Sequence, residues 1–398
     1  MSHTPCLPRA TPAEVGLNAQ RLAAMSDRLR ACCESGHLPG AVTLVARHGR
    51  IAWLDSVGLQ DPKLETRMAE NSIFRIYSMT KPVVSIAAMT LVEQGRLKLN
   101  DPVSRYLPAF EKPQVLIERD GKSETVPADR EITIQDLLRH TSGLTYDFLG
   151  NGPVHRQYAA AKLNDPDRPA REHVDNLARI PLLFQPGSTY AYSRSTDVLS
   201  CVLEEICSQS LGELLKDRVF DPLQMSETAF HVEPAQHARI AEPLALDPDT
   251  GRPLEMRMIE PRVKPVLEMG GGGLMSTALD YARFCQMLLN GGSLDGHRIV
   301  ARKTIALMSA DHLGPIALYG DQVPPGHGFG LGFCVRLGNG LAPFPGSAGQ
   351  FFWSGIAGTH FWIDPVEQMF AVLMIQAPGQ RDYYRNLFRA MVHAAIED

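Results

Sequence analysis

Between residues 18 and 35 the apolar side chains Leu22, Met25, Leu29 and Cys32 recur at three- and four-residue spacing, which predicts an amphipathic helix. The pattern then changes. AVTLVARHGRIAWLDSVG, residues 41–58, holds two strand-like runs joined at His48-Gly49-Arg50 and predicts a hairpin. GTHFWIDPVEQMFAVLMIQ, residues 358–376, predicts a second hairpin turning at Asp364-Pro365, and a closing helix follows over 381–396. The middle of the chain reads differently. VVSIAAMTLVEQGRL, TIQDLLRHTSGL, DNLARIPLLF, DVLSCVLEEICSQSLGELLKDRV and TALDYARFCQMLLNGG are helical patterns separated by loops rich in proline and glycine. Together these predict an α/β fold of the α+β kind. An antiparallel sheet flanked by helices is built from both chain ends, with a mostly helical domain inserted. Residues 1–77 and 265–398 are assigned to the discontinuous α/β domain and 78–264 to the helical region, with the active site between them. There is no internal repeat and no low-complexity segment.

At 398 residues the chain can bury a large core in two lobes. Its net charge of −5, with no basic block, argues against nucleic acid and anionic membranes as partners. No apolar run approaches the length of a membrane span, and the N-terminal residues hold no apolar signal core. Seven cysteines, with Cys32 and Cys33 adjacent and no Cys-x-x-Cys, suggest reduced thiols and a cytoplasmic protein. Thirteen histidines without a His-Glu-x-x-His or a tight cluster give no reason to expect a metal. The oligomeric state is not legible.

The chemistry concentrates near residues 74–97. Ser78 and Lys81 stand three positions apart, on one face of the helix that should begin there. Pro82 sharpens that placement, since proline is tolerated in a first turn and disfavoured deeper. An amine beside a hydroxyl can take its proton, and the free N–H groups of a first turn can face an oxygen anion. About one Ser-x-x-Lys is expected by composition in such a chain, so an N-capping serine with a solvated lysine is the alternative. Further along, Tyr192 lies just before a helix starting near Ser195 or Thr196, where a phenol could relay a proton; a core tyrosine is the alternative. Trp353-Ser354-Gly355 enters a predicted strand, and the N–H of Ile356 is a candidate oxyanion donor alongside that of Ser78. An edge strand with an aromatic anchor is the alternative there.

SMTK at 78–81, Tyr192 in Y-S-R and Trp353 in W-S-G, in that order, resemble the serine β-lactamase-like fold, and most closely the family VIII carboxylesterases, relatives of class C β-lactamases. DPVSRYLPAF (101–110), LLRHTSGLTY (137–146), PLLFQPGSTYAYS (181–193) and GGGGLMSTALDYARF (270–284) extend the resemblance over most of the chain. It implies the same layout that the patterns predict. Two positions depart from penicillin-recognising relatives. Arg194 replaces the asparagine of Tyr-x-Asn, and Trp353-Ser354-Gly355 replaces Lys-Thr-Gly. A tryptophan cannot supply the lysine's charge, but can pack on an apolar acyl or alcohol group.

The remaining signals are weaker. Gly270 to Gly273 is followed by no Gly-Lys-Ser/Thr and reads as a turn before a helix capped near Ser276 or Thr277. His140 reads as a structural histidine, and Tyr146 as a residue lining the pocket. Arg194 reads either as a site for a substrate anion or as a structural ion pair. Without Gly-x-Ser-x-Gly an α/β-hydrolase elbow is unsupported. The expected function is a serine carboxylesterase for small esters with short acyl chains, needing no cofactor. Ser78 attacks, Lys81 held neutral by burial accepts the proton, and Tyr192 protonates the leaving alkoxide and activates water. The amides of Ser78 and Ile356 hold the oxyanion, and Trp353, Ser354, Gly355, Tyr146 and Arg194 contact substrate. The alternatives are a β-lactamase or amide hydrolase, an acyltransferase, or a non-catalytic binding protein.

Overall fold

A computed structural model describes residues 6–119 and 121–398. Its centre is an eight-stranded antiparallel sheet. In spatial order the strands are His327–Phe329, Cys334–Arg336, Phe351–Ser354, His360–Asp364, Met369–Ile375, Gly40–Arg47, Arg50–Asp61 and Thr66–Arg67. The two ends of the chain meet inside it, with Ala41 opposite Ile375 and Arg47 opposite Met369. Gly40–Arg47 shows no alternation of polar and apolar residues because every residue of it is buried. Helices cover both faces. Phe361 and Trp362 are neighbours on one strand and so point to opposite sides. Phe361 meets Tyr281 of the Ala278–Leu289 helix, and Trp362 meets Phe388 of the Arg381–His393 helix, both at ring separations of 5.1 Å. The Ala19–Glu34 helix buries Leu22, Met25, Leu29 and Cys32 on the same side as the closing helix.

The differences from the sequence reading have local causes. Trp353 and Ser354 end the strand Phe351–Ser354 instead of entering one, and Gly355 turns the chain out of it. His327–Phe329 and Cys334–Arg336 are three residues each, too short for a period to register. In the middle region a hairpin, Gln114–Arg119 with Lys122–Pro127, interrupts the helices, and its polar, exposed second strand gave no strand signal. TIQDLLRHTSGL is helical only over Ile134–Leu138. Thr133 and Asp136 form the capping box at its start, and His140 (φ 58°) and Gly143 (φ 84°) carry the rest as a loop. The long helical pattern from 197 divides into Ser195–Cys207 and Leu211–Leu215, where Ser210 caps the second helix.

Candidate active site

Ser78 sits in a single 3-10 turn, Tyr77–Met79, that feeds directly into the helix Thr80–Glu93. That turn is clamped. The Ile76 amide donates to the Leu274 carbonyl at 3.0 Å, Thr80 Oγ1 accepts from the Leu274 amide at 3.1 Å, and the Tyr281 hydroxyl donates to the Met79 carbonyl at 2.9 Å. Tyr77 holds φ at 44°, an uncommon angle for a bulky residue, while its hydroxyl accepts from the Ile259 amide at 3.1 Å. Strain of this kind is stable where the surroundings over-determine it. Here it turns the half-buried Ser78 out of the helix start.

Lys81 is 1% exposed. Its Nζ donates to Ser78 Oγ at 3.2 Å, to the Tyr146 hydroxyl at 3.1 Å and to the Gly271 carbonyl at 2.6 Å. Three acceptors around three N–H bonds suit an ammonium. Burial works to lower its pKa, but Tyr146, Tyr192 and Asp197 outweigh that, and the net shift is upward. The expectation that burial keeps Lys81 neutral meets surroundings that act the other way, since the net direction favours the ammonium. Gly271 explains the glycine run. Its N–H donates to Asp197 Oδ1 at 2.8 Å while its carbonyl faces Lys81, and a Cβ there would lie 2.6 Å from the same carboxylate oxygen. The sequence reading missed Asp197 and the Gly271 carbonyl. The available signal was four consecutive glycines, which allow close backbone approach.

Tyr192 lies on the other side of the lysine, with Nζ 4.6 Å from its ring centre. Its hydroxyl accepts from Trp353 Nε1 at 3.2 Å, and its ring packs on His140 at 4.9 Å and Tyr146 at 5.5 Å. Burial, then the charge of Lys81, pushes His140 well below the usual histidine range, so it is neutral. It is hydrogen-bonded to Ser193 Oγ at 3.0 Å and supports Tyr192. Tyr146, expected only to line the pocket, is a direct lysine partner whose own pKa is raised by burial.

Arg194 is corrected as a substrate contact. It is buried behind Tyr146, with its guanidinium 5.1 Å from that ring. Nη2 donates to Asn164 Oδ1 at 2.7 Å, and Asp147 and Asp197 lie at 3.7 and 3.8 Å. The second of its two readings, a structural ion pair, describes it.

Across the cleft, the strand Phe351–Ser354 delivers Trp353, with its one N–H turned inward to Tyr192. Arg389 Nη2 donates to His360 Nε2 at 3.0 Å, which leaves the histidine proton on Nδ1, where it donates to Ser354 Oγ at 2.7 Å. The Ser354 hydroxyl hydrogen remains available. Gly355 faces protein and not ligand, because a Cβ there would collide with the Ile76 carbonyl oxygen and Thr359 Oγ1. This contact ties the turn after the strand to the backbone two residues before Ser78. The Ser78 and Ile356 amides have no acceptor among the described residues. Nor do three or more His, Cys, Asp or Glu side chains among them gather into a metal site, and no described helix is long and apolar enough to cross a membrane.

A hydroxyl beside a buried ammonium, at the mouth of a helix and facing a strand-end turn, is the arrangement of a serine hydrolase. The chain belongs to the Beta-lactamase family, whose model matches residues 21–395. Protein Rv1367c of Mycobacterium tuberculosis is 37% identical over 358 residues, covering 87% of this chain and 88% of that protein. Esterase EstB of Burkholderia gladioli is 33% identical over 375 residues, covering 89% and 90%. Among solved structures, EstCE1, a hydrolase with promiscuous acyltransferase activity, superposes with a TM-score of 0.79 at 29% identity, over 94% of this chain and 99% of that one.

Proposed function

We propose that the protein is a carboxylesterase for small, uncharged, short-acyl esters, working through an acyl-enzyme on Ser78. Ser78 Oγ bonds to the ester carbonyl carbon, and its proton passes to the pair formed by Lys81 and the neighbouring phenols. With Lys81 resting as an ammonium, the active form is the pair with one proton fewer, whichever atom lacks it. The oxyanion is held by the Ser78 and Ile356 amides. Collapse breaks the bond to the alkoxide, which takes a proton through Tyr192, and water repeats the cycle to release the acid.

The observation that carries this reading is the 3.2 Å bond from Trp353 Nε1 to the Tyr192 hydroxyl. It consumes the only polar atom of the indole, so Trp353 offers an apolar face and no charge for a carboxylate. Arg194, the other cation considered, is enclosed behind Tyr146. The test compares p-nitrophenyl acetate and butyrate with nitrocefin. A missing charge-assisted hydrogen bond corresponds to roughly 1.5–3 kcal/mol, so nitrocefin should be turned over at least about tenfold less efficiently in kcat/KM. Nitrocefin turnover as efficient as that of the best ester would overturn the reading.

Transfer of the acyl group to an alcohol is a second reading, favoured by the similarity to EstCE1. An alcohol replaces water in the second half, giving a new ester. An added alcohol should then appear in an ester product by mass spectrometry.

A further inference from the structure

Beside the cleft, the closing helix Arg381–His393 reaches the turn that follows Trp353 and Ser354. The Gly355 carbonyl oxygen accepts two hydrogen bonds, from the Gly358 amide at 2.9 Å and from Arg385 Nη2. The same residue's N–H donates to the Thr359 carbonyl at 2.8 Å. In a trans peptide the C=O and N–H of one plane point in opposite directions. Whatever fixes the Gly355 oxygen therefore aims the Ile356 N–H the other way. A donor on the carbonyl also polarises the peptide and strengthens its N–H as a donor. The other guanidinium contact is weaker as an anchor: Arg385 Nη1 meets Asp382 Oδ1 at 3.1 Å, and that carboxylate is exposed. Burial pulls the Arg385 pKa down to about 10, which still leaves it charged at neutral pH.

We propose that Arg385 is a positioning residue for the oxyanion site, holding and polarising the Gly355 carbonyl so that the Ile356 N–H meets the anion formed on the substrate. The proposal rests on the reading of Ile356 as an oxyanion donor. A merely structural arginine would tie the closing helix to the sheet, a task that Phe388 against Trp362 also performs.

The experiment measures kcat and KM for p-nitrophenyl butyrate and the inhibition constant of a small alkyl boronic acid. Boron bonds to Ser78 Oγ and becomes four-coordinate and anionic, so it reports on the oxyanion site directly. Arg385→Ala should lower kcat about tenfold or more, with KM within about threefold, and weaken the boronate by a similar factor. Arg385→Lys, which restores a charged donor, should recover part of both. Asp382→Asn should change neither by more than about twofold, by the small worth of an exposed pair. Arg385→Ala with kcat and boronate affinity within twofold of wild type overturns the proposal, as does a lower thermal midpoint with no loss of boronate affinity relative to KM. If circular dichroism shows that the alanine variant does not fold, Arg385→Gln decides. An intermediate, parallel loss of kcat and boronate affinity supports the proposal, and wild-type values of both overturn it. Mass spectrometry of a phosphonate adduct separates the two levels. No adduct on Ser78 sinks the acyl-enzyme reading itself, whereas an adduct there with unaffected Arg385 variants sinks only the role of Arg385.

Discussion

The two walls of the cleft treat their hydrogen-bonding groups in opposite ways. Around Lys81 all three N–H positions have acceptors, drawn from Ser78, Tyr146 and Gly271, and the lysine itself is buried. Around Ile356 the carbonyl side of the peptide is bonded twice, while its N–H has no acceptor among the described residues. One wall surrounds its amine with acceptors before substrate arrives. The other leaves a donor free, which the proposed mechanism assigns to the oxyanion. That division suits acyl transfer, where preorganised donors are most effective when aimed at the developing oxyanion.

The sharpest break of the comparison removes the atom between the walls. Ser78→Ala should abolish ester hydrolysis, by about 10⁴-fold or more in kcat, with the circular dichroism spectrum preserved. Activity persisting in that variant, with a phosphonate adduct on another serine, would defeat the assignment. Next, the lysine wall can be altered without losing its charge. Lys81→Arg should be nearly as damaging as Lys81→Ala, about 10²-fold or more, because the proton pair needs a group that can give up its proton and arginine effectively cannot. Substantial rescue by arginine would mean that charge alone is required.

A smaller effect is expected where the walls touch. Trp353→Phe keeps the ring and deletes the N–H that reaches Tyr192. The loss of one neutral hydrogen bond, about 0.5–1.5 kcal/mol, predicts a fall of roughly two- to tenfold in kcat/KM. An unchanged rate would show that the phenol needs no support from the strand side. The smallest change is a shift in pH dependence. Because the Lys81 pKa is raised, the deprotonated pair should become more abundant as pH rises, giving an ascending limb through and above the neutral range. Burial opposes that rise, and Tyr146 is the largest group producing it. Tyr146→Phe should therefore move the limb to lower pH, read from the kcat/KM profile. A limb that stays or moves upward would contradict the assigned partnership.

Much of the architecture was legible because it is periodic. Leu22, Met25, Leu29 and Cys32 line one face of a helix as their spacing requires, and both terminal hairpins turn where His48-Gly49-Arg50 and Asp364-Pro365 stand. The hairpin at 114–127 was not legible because its second strand is polar and exposed, and the three-residue strands because they are too short to establish a period. Within the site, Arg194 shows the same limit. Its sequence position could not distinguish a wall facing substrate from a wall facing Asn164 and Asp147.

The sequence by itself determined that Ser78 and Lys81 share one helical turn, because three-residue spacing fixes neighbours whatever surrounds them. Only the tertiary structure decided the surroundings of Lys81. Its acceptors come from residues 146 and 271, and the phenol and carboxylate that raise its pKa come from 192 and 197. Likewise the bond from Arg385 to Gly355 and the bond from Trp353 to Tyr192 join segments with no local relation. Local geometry follows from spacing. A buried group's protonation follows from every polar atom brought within a few ångströms of it, and that set exists only once the chain has closed.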